Sequence, residues 1–455
     1  MVHSSFESIP GLLIWHSKDL VNWEPVTSAL NTYVGSVWAP DLSYLDDRYY
    51  IYFPAVSEKG FTNMVVYADD IKGPWHGPVD LEVGNFDPGH LVDKNGQRYL
   101  YFNGGNMGKL RADGLSMEGK VHHVYDGWKY PEHWEVETFA QEGPKMLKHG
   151  AYYYMVLAEG GTAGPATSHM VIMARSTSPE GPWENSPYNP VVHTGSSQEK
   201  WWSRGHATLL EGPDKQWYLV YHAYEKDFYT LGRQTLLEPV EWTADGWVKA
   251  SGYDVARPIP LPEGGIAVAH GQALSDDFSR NKIGLQWKFF QPRSNYTERY
   301  RYEDGSLVLE AEGNSPKDSS PLLFITGDQA YEMQVEVDCD ENAKGGLLLF
   351  YNHNLFAGHG FSNNKMLEYC KGGVQEFPKP DYIGNRFFLK IRNNRNVVTV
   401  WYSADGENWT KHWMQYEVSG YHHNIEGGFL TLAPALMAAG EGEVRFRDFK
   451  YKALP

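Results

Sequence analysis

Short apolar and aromatic runs, each introduced by a polar turn, organise the first 260 or so positions. Tyr50-Ile-Tyr-Phe53, Tyr99-Leu-Tyr-Phe102, Tyr154-Met-Val-Leu157 and Tyr218-Leu-Val-Tyr221 follow the turns Asp46-Asp47, Asp93-Lys-Asn-Gly96, Lys148-His-Gly150 and Gly212-Pro-Asp-Lys215. A further short strand precedes each turn, so the pattern predicts four β-hairpins. A second marker recurs after them, ending at Trp23, Trp75, Trp183 and Trp242. Its steps are about fifty residues, with one double step between Trp75 and Trp183, and units of that length built from strand and turn are propeller blades. The spacing therefore implies five units over residues 1–260, and the strand-sized runs speak against a helical solenoid.

Each hairpin also carries a residue twelve positions before its repeat tyrosine, where the innermost strand of a blade begins. Those residues are Trp38, Asp87, Glu142 and His206. An aromatic face, two carboxyls and an imidazole converging on one pocket suit a hydrolase: a platform, acids for proton transfer and a polar anchor. Asp87-Pro88 and Glu142-Gly-Pro144 are also ordinary turn signals; four such residues in one register argue for a shared site.

Downstream the pattern changes. Arg257-Pro-Ile-Pro-Leu-Pro-Glu-Gly-Gly265 is rich in proline and glycine and ends the repeats. It opens an expected linker over 261–275. Beyond it, Leu307-Val-Leu-Glu-Ala311, Gln334-Val-Glu-Val-Asp338, Phe387-Phe-Leu-Lys-Ile391 and Val397-Val-Thr-Val-Trp401 alternate. Alternation over residues 276–455 predicts antiparallel strands with one wet face, in a β-sandwich.

Composition narrows the function. There are 57 Asp and Glu against 40 Lys and Arg, a formal net charge of −17, which argues against nucleic acid or an anionic membrane as the main partner. No run approaches the roughly 18 apolar residues of a membrane span. Cys339 and Cys370 are the only cysteines, too few for a disulfide framework or a zinc set, and read as buried thiols. The opening Met-Val-His-Ser-Ser-Phe has neither the basic nor the apolar region of a signal peptide, and the compartment, cytoplasmic or secreted, stays open.

At the hairpin residues the sequence resembles glycoside hydrolase family 43, in particular its β-xylosidase and α-L-arabinofuranosidase members. The matching segments are Ser4-Ser-Phe-Glu-Ser-Ile-Pro-Gly11, His16-Ser-Lys-Asp-Leu-Val-Asn-Trp23, Trp38-Ala-Pro-Asp41, Phe86-Asp-Pro88, Gln141-Glu-Gly-Pro144, Ala158-Glu-Gly-Gly-Thr162 and Gly205-His206. The resemblance implies a five-bladed propeller and inverting hydrolysis of xylo- or arabino-oligosaccharides from their non-reducing ends. No cofactor is implied as required. Glu142 matches the general acid, and Asp87 matches the carboxyl that orients it and raises its pKa. Trp38 resembles a wall of the sugar subsite, and Arg233 in Leu231-Gly-Arg-Gln234 the arginine that holds sugar hydroxyls. Phe6 and Thr162 fall on pocket-lining positions. His206 resembles the axial histidine, near which many members hold a calcium ion or a water.

The family's general base is an aspartate on the innermost strand of the first blade. Met1-Val2 matches Met155-Val156, so the expectation is that this strand and its aspartate lie outside the sequence. Three readings stay open: a truncated start, a sugar-binding relative without the base, or a substitute base. Asp41 is not favoured as the substitute, because it stands three residues from Trp38 and strand alternation turns it to the other face. The second domain is similar to the concanavalin-like sandwich of the family's β-xylosidases. Its segment Asn352–Phe361 is expected as a loop with Phe356 or Phe361 as a lid over the pocket, against the commoner fate of a core phenylalanine. A carbohydrate-binding module is the rival role for this domain.

Overall fold

A computed structural model of the chain describes residues 1–268, 273–293 and 295–455. The chain divides into two units, Met1–Lys226 with Arg233–Gly271, and Asp227–Gly232 with Gln272–Pro455.

The first unit holds four blade-like sheets. Blade A contains Ser36–Val37, Asp41–Leu45, Arg48–Ser57, Gly60–Ala68 and His76–Asp80; blade B contains Gly89–Val92, Arg98–Phe102, Asn106–Leu110 and Met117–His123. Blade C contains Gln141–His149, Tyr152–Glu159, Met170–Ser176, Glu184–Asn185 and Val192–His193; blade D contains Trp201–Glu211, Trp217–Glu225, Arg233–Trp242 and Val248–Ala250. Every hairpin expected from the turns is present. In blade A, Leu45 pairs with Arg48 across Asp46-Asp47, whose φ values of 51° and 59° are the left-handed pair that a two-residue hairpin turn demands. Blade B is complete although no tryptophan marker follows it, which accounts for the double step in the spacing. Beside these four sheets, Gly11–His16 and Glu24–Leu30 form a two-stranded sheet. Val2 bridges to Ile14 on the open side of that sheet, where Trp15 N–H donates to Met1 O at 2.8 Å.

Strand alternation makes each repeat run serve two cores. Leu100 and Phe102 pack with Tyr50, Tyr52 and Val65 between blades A and B. Tyr99 and Tyr101, the intervening residues, pack with Tyr153, Met155 and Leu157 between blades B and C. Tyr154 and Val156 then join Leu219, Tyr221 and Trp247 between blades C and D. A strand buried on both faces has no polar face to show, which is why these runs read as continuous apolar stretches. The same packing brings the innermost strands of successive blades into contact, A with B, B with C and C with D.

Part of the expected linker is fastened to the first unit. Glu263 N–H donates to Asp214 Oδ2 at 3.2 Å in the turn of blade D. Ile266 N–H donates to Asp19 Oδ2 at 3.4 Å, and Asn22 Nδ2 donates to Ile266 O at 3.0 Å. The segment therefore straps blade D to the two-stranded sheet. Residues 269–272 of the expected linker lie outside the described residues. The expected propeller range of 1–260 also contains Asp227–Gly232, which groups with the second unit. There Thr230 Oγ1 donates to Asn396 Oδ1 at 2.7 Å, and Leu432 N–H donates to Thr230 O at 2.9 Å.

The second unit is a sandwich. One sheet runs Lys288–Phe290, Leu322–Leu323, Ala433–Gly440, Ala343–Phe350, Phe356–Phe361, Lys365–Cys370, Gly373–Pro378. The other runs Tyr300–Glu303, Ser306–Glu310, Glu443–Ala453, Ala330–Cys339, Arg386–Asn394, Val397–Ser403, Thr410–Glu417. The lid expectation fails here: Phe356–Phe361 is a strand, and both phenylalanines are fully buried. Phe361 meets Phe387 and Tyr402 of the opposite sheet at ring separations of 4.9 and 5.6 Å. Cys339 and Cys370 are free thiols, the first buried.

Phe361→Ala should destabilise the second unit by about 3–5 kcal/mol, the usual cost of an aromatic cavity, measured by denaturant unfolding. The products released from an oligosaccharide should not change, since this ring is core and not lid.

Candidate active site

Trp38, Asp87 and Glu142 stand at or just before the leading ends of inner strands and His206 midway along Trp201–Glu211, and interblade packing draws three of the four into one cluster. One donor atom each from Asp87, Glu142 and His206 lies within 4.8 Å of the others. Gly143 N–H donates to Asp87 Oδ2 at 3.2 Å, and the same oxygen is 4.0 Å from His206 Nδ1. The backbone is unusual at these places: Phe6, Asp87 and His206 hold φ values of 47°, 55° and 59°. Non-glycine residues in that region carry a steric cost of order 1–3 kcal/mol, met by the surrounding packing. Gly143 has a φ of 55°, and a Cβ there would lie 2.2 Å from His206 Nε2. Only glycine allows the Glu142 strand to approach the histidine so closely.

Trp38 packs against Phe86, the residue before Asp87. Its ring packs edge-on to Phe61 at 5.1 Å and to Phe86 at 6.0 Å, and its Nε1 donates to Ser36 Oγ at 3.2 Å. Phe6 exchanges backbone hydrogen bonds with Val37, one residue before Trp38. The Arg233 guanidinium lies 5.6 Å over the Phe6 ring. Thr162 is buried with no hydrogen-bond partner for its hydroxyl. It stands four residues beyond Ala158, the β-partner of Glu142.

The spacing of inner-strand residues extends one step further along the same strands. Asp41, His90 and Lys145 each stand three residues after a site residue and line a cavity of about 270 Å³. The Lys145 ammonium donates to Asp41 Oδ1 at 2.9 Å, to Pro40 O at 2.8 Å and to Pro88 O at 3.3 Å. One cation thus ties the leading ends of blades A and B to the strand of Glu142. Asp41 is spent in this pair and in accepting the His90 N–H at 2.9 Å, which agrees with setting it aside as a base. His169 and His222 complete an imidazole group with His206, one ring nitrogen from each lying within 4.8 Å of the others. No spacing in the sequence points to those two.

Electrostatics divide the carboxyls. Burial raises the pKa of Asp87, and the charges of Lys145 and Arg233 and the Gly143 N–H pull it back. Glu142 is lifted further, by burial first and by the neighbouring Asp87 charge second, with Arg233 opposing and Glu137 adding. Two carboxyls this close do not both ionise readily. Glu142 is accordingly the one that keeps its proton near neutral pH. His206 is driven well below its ordinary range by burial and then by Lys145, His169 and Arg233, so it is a neutral hydrogen-bonding group.

Two outcomes test this geometry. Gly143→Ala should cost about 100-fold in turnover, the scale of a 1 Å misplacement, with the fold retained by circular dichroism. Because the Glu142 carboxyl binds its proton more tightly folded than unfolded, stability is lost as pH rises from about 4.3 through the raised value. Glu142→Gln should therefore melt above the native protein at pH 8, by about 2–4 °C per kcal/mol relieved, with the gap closing at pH 4 in calorimetry.

Residues 1–248 match the family profile described as glycosyl hydrolases family 43, and residues 275–452 match the β-xylosidase C-terminal concanavalin A-like domain. A xylan 1,3-β-xylosidase of a Vibrio species is 32% identical, covering 98% of this chain and 93% of that protein. A β-xylosidase of Bacillus subtilis is 29% identical, covering 99% of this chain and 94% of its own length. Among solved structures, a GH43 protein from Bacillus licheniformis has a TM-score of 0.86 at 26% identity, covering 100% of this chain and 95% of that one. The profile spans more than half of the residues and includes every carboxyl, aromatic and imidazole of the cluster: the chain belongs to glycoside hydrolase family 43.

Proposed function

We propose that the protein removes non-reducing β-D-xylosyl or α-L-arabinofuranosyl residues from xylo- or arabino-oligosaccharides by a single displacement with inversion. The observation that carries this reading is the Asp87–Glu142 pair, in which burial and a like charge keep a proton on Glu142. Glu142 protonates the departing glycosidic oxygen, and Asp87 holds that proton in place beforehand. Asp87 is no candidate for the water-activating base: the two carboxyls of an inverting pair stand about 6.5–9.5 Å apart, and its oxygen is within 4.8 Å of that of Glu142.

In this reading the sugar stacks on Trp38, whose face suits ring C–H groups, and Phe6 borders the same pocket. Arg233 donates to sugar hydroxyls, His206 anchors the pocket floor as a neutral imidazole, and Thr162 offers its unpartnered hydroxyl from the rim. Proton transfer between carboxyls and substrate requires no cofactor. Calcium takes about six to eight oxygen ligands, whereas the donors beside His206, apart from Asp87 and Glu142, are the ring nitrogens of His169 and His222. A calcium ion here would rest chiefly on water, and no step depends on it. The sheet of Gly11–His16 and Glu24–Leu30, with Val2 bridged to Ile14, is read as the outer part of a fifth blade. The relatives named as xylosidases support the pentose substrate.

The test is nitrophenol release from aryl β-D-xyloside and aryl α-L-arabinofuranoside, with the product anomer followed by NMR. Glu142→Ala should lower turnover by about 10²–10⁴-fold, least for the most acidic leaving groups. Absence of both release and binding with either pentoside would overturn the reading. Product of retained configuration would overturn the single displacement.

A further inference from the structure

The interior of the second unit contains a cluster of polar side chains that hydrolysis does not use. His359 and Glu368 face one another across the antiparallel strands Phe356–Phe361 and Lys365–Cys370. His412 meets them from Thr410–Glu417 of the opposite sheet. The three residues are 1%, 3% and 1% exposed. One donor atom of each lies within 4.8 Å of the other two. Each of the three has a buried donor atom, His359 Nδ1, Glu368 Oε2 and His412 Nε2, with no hydrogen-bond partner among the described residues. Polar atoms so buried are almost always paired, and each exception calls for an explanation.

The strand that carries His412 sharpens the point. Along Thr410–Glu417 only His412 and Tyr416 are buried, while Trp413 and Met414 between them are 61% and 43% exposed. Ordinary alternation places the apolar residues inside. Here the large apolar residues lie outside, and both inward residues reach the cluster: the Tyr416 hydroxyl lies 2.7 Å from His359 Nε2. Engaging that nitrogen leaves the unpartnered Nδ1 as the ring's available donor, as an outer partner does for a metal-bound imidazole.

We propose that His359, Glu368 and His412 bind one divalent transition-metal ion of the zinc type, separate from the glycosidase centre. Two imidazoles and a carboxylate are the donors such an ion takes, at about 2.0–2.2 Å, commonly with water in the fourth position. Donors on bonds of that length at a tetrahedral angle stand about 3.3–3.6 Å apart, and His412 Nε2 is 3.6 Å from Glu368 Oε2. Burial keeps both imidazoles neutral. His412 Nδ1 accepts the Met414 N–H at 3.2 Å; with metal on Nε2 the proton moves to Nδ1 and this long contact opens. One neutral hydrogen bond is exchanged for a metal bond, and the ion joins the two sheets beside the edge strand Thr410–Glu417. Calcium and magnesium, which favour oxygen, match the donors poorly.

The full chain, stripped with a chelator, is titrated with Zn²⁺ against a chromogenic chelator, and with Co²⁺ by its visible absorption. The axial histidines offer a second place for metal, so the readout is the difference from variants of the sandwich cluster. The native chain should bind one equivalent more than His412→Gln or Glu368→Gln. Tyr416→Phe, which removes only the outer hydroxyl, should weaken that equivalent by about 10–100-fold. Zn²⁺ should raise the melting temperature of the second unit in the native chain and not in Glu368→Gln. Equal stoichiometry in native chain and variants that fold, or no metal retained by the native chain, would overturn the proposal and assign the space to a bridging water. Should His412→Gln fail to fold, Glu368→Gln and Tyr416→Phe keep the comparison.

Discussion

The approach of Gly143 to Asp87 and His206 is the constraint on which the catalytic geometry depends. Its N–H holds Asp87 Oδ2 at 3.2 Å, and its missing side chain leaves room for the His206 ring. Three blades meet at this point, so a shift of any one of them changes the distance between the carboxyls. The left-handed backbone at Asp87 and His206 is held by the aromatic cores between blades, in which each repeat strand packs on both faces. Tyr99 and Tyr101 serve one core and Leu100 and Phe102 the other, so the strain at the site is borne by packing far larger than the site itself.

Charge is set against burial in the same place. Lys145 and Arg233 favour ionised carboxyls, but desolvation is the larger influence on both Asp87 and Glu142. The outcome is asymmetric because Glu142 also feels the Asp87 charge, while Asp87 has the Gly143 N–H and Lys145 beside it. A carboxyl that keeps its proton near neutral pH is thus obtained at a cost in stability, a common arrangement at active sites. Lys145 has a double part, since its hydrogen bonds to Pro40 and Pro88 carbonyls also align the strands that carry Trp38 and Asp87.

Turn chemistry and strand period made much of this legible in the amino-acid order. Asp46-Asp47 forms the left-handed turn its composition suggests, and the position twelve residues before each repeat tyrosine holds the carboxyls and imidazole that meet. The blade count is less direct, because a tryptophan marker reports a turn and blade B closes without one. Phe356 and Phe361 show the opposite limit: an aromatic, glycine-containing segment reads as a loop, yet it is a strand whose rings fill the sandwich.

The sequence by itself determined where strands and turns fall, which residues head the inner strands, and that the two units differ in their alternation, because these follow from local backbone preference and a period of two. Only the tertiary structure decided that Glu263–Ile266 would strap blade D to the first sheet, that His169 and His222 would join His206, and that His359, Glu368 and His412 would face one space. Each of these unites residues far apart in the chain, across sheets whose relative placement is set by close packing of many side chains at once, and no local pattern records that sum.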